Sequence, residues 1–100
     1  MAKLSEVARI IRSKNAGPFE LTLDVMFDDR QVYEDIKGRA VLSAETIGRL
    51  YDRPVLSTYY FDNAMAFKAT LPRTVSAGTT GDSDVFGAQQ HAPLLDLEVS

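Results

Sequence analysis

Cysteine is absent from this 100-residue chain. That removes disulfides, thiol nucleophiles and thiolate metal sites together. Tryptophan is absent as well, and His91 is the only histidine. A multi-histidine metal centre is therefore excluded, and a Ser-His-Asp triad has one candidate base. No run approaches the roughly 18 apolar residues of a membrane-spanning helix. The start, Met1-Ala2-Lys3-Leu4-Ser5-Glu6, has no long apolar core of a secretory signal. An excess of basic charge is missing too. The net charge is −3, which argues against nucleic acid and against an anionic membrane surface.

What is present is ordinary for a soluble globular protein. The apolar share is 45% and the charged share 25%, enough apolar surface to offset the entropy of ordering. The length suits one domain over 1–100, located in the cytoplasm, with a core small enough that self-association or a partner would add useful stability. No cofactor is called for.

Along the chain, Leu4, Val7, Ala8 and Ile11 follow helical spacing behind Ser5, so 4–12 is expected to be helical, with a short strand as the alternative. Residues 19–27 read as a strand: Leu21, Leu23, Val25 and Phe27 alternate with Glu20, Thr22, Asp24 and Met26. Residues 29–37 read as a helix after Asp28, with Gln31 imitating a capping box, Phe27 and Val32 as a staple, and Gly38 beyond its end. Residues 44–52 form the clearest helix. Ser43 caps it, Ile47, Leu50 and Tyr51 make its buried stripe, and Pro54 stops it. Strands are expected over 55–61 and 65–71, joined at Asp62-Asn63-Ala64 by a turn or a bulge, and over 94–99. The long segment 72–93 is expected to be ordered through Val75, Val85 and Phe86.

Two polar segments carry the candidate chemistry. The first, Arg12-Ser13-Lys14-Asn15-Ala16-Gly17-Pro18, reads as a loop with two cations and a glycine for a strained turn. The second is 72–93. Arg12, Lys14 and Arg73 together suit a carboxylate or phosphate, aided by backbone N–H groups across Gly78–Gly81. The plainer reading is two polar turns without a ligand, since the Gly-Lys-Ser/Thr end of a phosphate loop is missing. His91 is a candidate general acid or base, against the plainer reading of a histidine satisfying loop carbonyls. Asp82 and Asp84 suit a hard cation or a solvated turn. Asp24 stands on the polar side of its strand, within reach of Arg12 and Lys14. Both segments lead into expected strands, so Arg12, Lys14 and Asn15 are expected near Gln90 and His91, with Asp24 or Asp82 among the counter-charges.

Three stretches also carry a resemblance. They are Arg12 to Thr22 with Asp24 and Phe27-Asp28-Asp29, then Gly81-Asp82, then Gly87-Ala88-Gln89-Gln90-His91-Ala92-Pro93-Leu94-Leu95-Asp96. Over nearly its whole length the chain resembles a small bacterial family of domains without an assigned reaction. Its members stand beside, or fused to, proteins resembling the acyclic terpene utilisation protein AtuA. More distantly it is similar to the C-terminal ferredoxin-like domain of AtuA-type proteins. That domain has an Arg-Ser-Gly-Asp-Lys-Gly loop where this chain has Arg12 to Gly17, and this chain departs from its Asp-Lys order at Lys14-Asn15. A Ser43-Ala44-Glu45 helix start and a Leu94 to Glu98 strand complete the likeness.

The resemblance implies a small ferredoxin-like α+β sandwich with a mainly antiparallel sheet, two or three helices and one long loop, in which 4–11 is a strand. It further implies a small subunit, not a complete enzyme by itself, that works with an AtuA-like large subunit on an acyl-CoA or a carboxylic acid. Two alternatives stand beside it: a separate small-molecule binding or regulatory domain that forms a homo-oligomer, and a small lyase or hydratase using His91.

Overall fold

The computed structural model describes residues 2–73 and 91–99. Helix α1 (Leu4–Val7) is followed by strands β1 (Ile10–Asn15) and β2 (Glu20–Met26), then by helices α2 (Arg30–Gly38) and α3 (Ala44–Tyr51). Strands β3 (Ser57–Phe61) and β4 (Ala66–Pro72) come next, and α4 (Ala92–Leu95) is the last described element. The strands form one antiparallel sheet in the order β1-β2-β4-β3. It is built from two hairpins, β1–β2 and β3–β4, joined edge to edge through β2 and β4. The expected small α+β sandwich is therefore present, and its architecture is consistent with a ferredoxin-like sandwich.

The alternation in β2 decides which face is covered. Leu21, Leu23 and Val25 are fully buried, as are Phe67, Ala69 and Leu71 of β4. They meet Tyr33 and Ile36 of α2, Ile47 and Tyr51 of α3, Leu4 and Leu94 in one core. The opposite face of the sheet carries no described helix. Among the described residues, no helix is long and apolar enough to cross a membrane.

Local chemistry explains the element ends. The Ser43 side chain accepts from Thr46 N at 3.2 Å, and Glu45 lies in the positive first turn of α3. The cap of α2 is Asp29, one residue later than expected, and it accepts from Gln31 N at 2.9 Å and Val32 N at 3.3 Å. Gly38 is the last residue of α2; the left-handed position after it falls on Ala40, at φ 54°. Gly17 does serve the strained turn expected of it, at φ 117° between β1 and β2.

Three expectations are corrected. The helix over 4–12 ends at Val7, and a strand begins at Ile10, so both the helical spacing and the implied strand over 4–11 were partly right. Arg12, Ser13, Lys14 and Asn15 belong to β1, an edge strand, and not to a loop. Charged outward side chains suit an edge strand, whose open edge they help to protect. The strand over 94–99 is replaced by α4, with Pro93 in its first turn, followed by a single bridge between Lys3 and Glu98. Pro93 lacks the N–H a ladder needs but suits a helix start. Asp62-Asn63-Ala64 forms a 3-10 turn, which settles the choice between turn and bulge as a hairpin.

Candidate functional site

The helix-free face of the sheet has three cross-strand rows fixed by register. One joins Ile10, Met26, Ala66 and Phe61. The next joins Arg12, Asp24, Lys68 and Tyr59. The third joins Lys14, Thr22, Thr70 and Ser57. The middle row holds an ion pair, Arg12 Nε to Asp24 Oδ2 at 3.2 Å. The Asp24 side chain is only 13% exposed, whereas that of Arg12 is 55% exposed. Thr22 Oγ1 donates to the Lys14 carbonyl at 3.3 Å and ties the polar row to the edge strand.

A cavity of about 280 Å³ opens on this face, lined by Arg12, Lys14, Asp24 and Lys68 on one side and Met26, Phe61, Ala64 and Ala66 on the other. Lys14 and Lys68 have no ion-pair partner among the described residues. Three cations around one carboxylate leave a local excess of positive charge on a chain whose net charge is −3.

The structure brings Arg12, Lys14 and Asp24 together, as expected. It sets the other candidates apart. The Arg73 guanidinium donates to Asn15 Oδ1, and Arg73 N donates to the Phe19 carbonyl at 2.8 Å. Asn15 and Arg73 thus fasten the end of β4 to the β1–β2 turn, where Gly17 supplies the backbone conformation. His91 heads α4, which packs against α1 and α3. It shares no hydrogen bond with Arg12, Lys14 or Asn15, and its Nδ1 is buried without a partner among the described residues. Lys14 stands on the helix-free face of the sheet, and of the second polar segment expected beside it only the two ends are described. Asp82 and Gln90 lie outside the described residues, as do Asp84, Val75, Val85, Phe86 and Gly78–Gly81. Lys68 was missed: its alternation was visible, but its place opposite Asp24 depends on the pairing of β2 with β4.

A second polar group holds the helical layer to the sheet. Tyr33 Oη donates to Asp62 Oδ1 at 2.5 Å, and Lys37 Nζ donates to the same oxygen at 2.8 Å. The Lys37 ammonium, and after it the Tyr33 hydroxyl, hold the Asp62 carboxyl below its usual range. Asp62 in turn raises Lys37. Burial, with Asp62 second, raises Tyr33, and burial pushes Tyr60 up to about 12. This group is a clasp between α2 and the β3–β4 turn.

A pH dependence follows. The lowered carboxyl of Asp62 contributes stability above the ordinary carboxyl range of about 4, and that contribution fades as pH falls through the folded value. The raised Lys37, Tyr33 and Tyr60 contribute fully below their ordinary values of about 10, and the contribution fades as pH rises beyond them. Melting temperature is expected to be flat between about pH 5 and 9 and to drop on both sides. In Asp62→Asn the acid-side drop should shrink; an unchanged acid limb in thermal melts would remove Asp62 from that account.

The fold and the site define a small α+β domain with a cationic, partly apolar face on its sheet. Family comparison agrees on its extent: residues 4–98 match the family described as a domain of unknown function (DUF4387), and the chain belongs to that family. No curated protein matches the chain. No solved structure matches it either.

Proposed function

We propose that this chain is a small accessory subunit that binds a carboxylate or an acyl-CoA on its helix-free sheet face and works beside an AtuA-like large subunit. One observation carries the binding half: Lys14 and Lys68 flank the Arg12–Asp24 pair in a cavity of about 280 Å³ without ion-pair partners among the described residues. The sequence resemblance from Arg12 to Thr22 and from Gly87 to Asp96 supports the partner half. The arrangement offers a ligand electrostatic capture.

Acetate titrated into the full chain and followed by NMR should bind saturably, with a Kd of the order of 1 mM, about −4 kcal/mol. Shifts should centre on residues of the three rows and weaken as salt rises, because the cations are partly exposed. Co-expression with an AtuA-like large subunit should yield a complex on affinity purification. Shifts scattered over the surface without saturation would overturn the binding half, and separate elution of the two chains would overturn the partner half.

A further inference from the structure

The cavity is two-sided: its charged side spans the row of Lys14 and the row of Arg12, Asp24 and Lys68, and its apolar side lies on the next row and on Ala64. The charged row of Arg12, Asp24 and Lys68 is followed, two residues along each strand, by the apolar row of Met26, Ala66 and Phe61. That step is about 6.8 Å along a strand, the reach of a short hydrocarbon chain. Ala66 and Ala64 are small, so the space beside Phe61 is left open. Phe61 is itself 48% exposed, and its ring stands 6.1 Å from that of Tyr59.

We propose that the occupant is an aliphatic monocarboxylate, with its head on Lys14 and Lys68 beside Arg12 and its tail laid along Met26, Ala66 and Phe61. The inference rests on the carboxylate reading above and specifies its substrate class. A second carboxylate at the far end of the tail would meet only the apolar row, which selects a monocarboxylate. A tail is selected over a bare head because apolar surface beside the cations is otherwise left in water. Phe61 and Met26 are therefore the residues that set chain-length preference, and the cations are not.

The test is a series of acetate, propionate, butyrate and hexanoate titrated into the full chain by calorimetry, repeated with Phe61→Ser and Met26→Ser. Phe61→Ser is the safer variant for folding because the side chain is half exposed. Affinity is expected to rise about two- to fourfold per added methylene, as partial to full burial of a methylene dictates. In Phe61→Ser that slope should flatten while acetate affinity stays within about twofold. Hexanoate binding no tighter than acetate in the unaltered chain overturns this inference and leaves the carboxylate reading standing. Butyryl-CoA binding where butyrate does not bind also overturns it, since the head would then be a phosphate. Failure of every carboxylate and of butyryl-CoA to bind overturns the underlying reading instead.

Discussion

Replacing Phe67 with alanine is expected to lower the melting temperature by roughly 12–40 °C, from a loss of about 3–5 kcal/mol at about 4–8 °C per kcal/mol for a domain of this size. The ring is 1% exposed, lies on the central strand β4, and packs against Tyr60 with centroids 5.0 Å apart. Removing it deletes apolar contact and leaves a cavity that the helical layer cannot fill. A small domain holds only about 5–15 kcal/mol in total, so the variant should stand near the edge of folding. Tyr59, whose register places it opposite Lys68 and which is 60% exposed, supplies the contrast. Tyr59→Ala should change stability by no more than about 0.5 kcal/mol. Denaturant melts of the two variants compare the two faces of one sheet directly. Equal losses would mean that the faces are assigned wrongly.

The second large effect is on binding. The double variant Lys14→Glu, Lys68→Gln should weaken acetate binding at least 100-fold, beyond detection for a millimolar ligand. Two charge-assisted contacts at about 1.5–3 kcal/mol each are lost, and each 1.4 kcal/mol is tenfold. The change at Lys68 is to glutamine because Asp24 lies directly across the strand pair, and a carboxylate there would repel it. The melting temperature should move by only a few degrees, since neither lysine has an ion-pair partner to lose among the described residues. Retained binding in a folded double variant would relocate the anion away from this face.

Much of the frame was legible in the residues. The alternation from Leu21 to Met26 requires a strand with one covered face. Ser43 ahead of Glu45 and Ile47 marks a helix start by a local hydrogen bond that any fold would keep. The failures have physical causes. Arg12-Ser13-Lys14-Asn15 looks like a turn because charge and small polar side chains favour turns, yet an edge strand accepts the same composition. Leu95, Leu97 and Val99 alternate as a strand would, but Pro93 withholds a ladder donor and starts a helical turn. The site was half legible for a related reason. Arg12, Lys14 and Asp24 fall close together in sequence and meet through a short hairpin. Lys68 joins them only through the β2–β4 pairing, which no local pattern announces.

That same pairing governs when the site comes into being. Arg12, Lys14 and Asp24 belong to the first hairpin and Lys68, Ala66 and Phe61 to the second, and Met26 pairs with Ala66 across a long stretch of intervening chain. Each hairpin can close by itself at small entropic cost, whereas the seam between them closes a long loop and comes late in folding. Neither half owns the cavity. A ligand seated across the seam therefore recognises the finished sheet alone, and mass action makes it a stabiliser of the whole fold rather than of any fragment. Inside a cell, supply of the proposed ligand would then bear on how long the folded molecule survives.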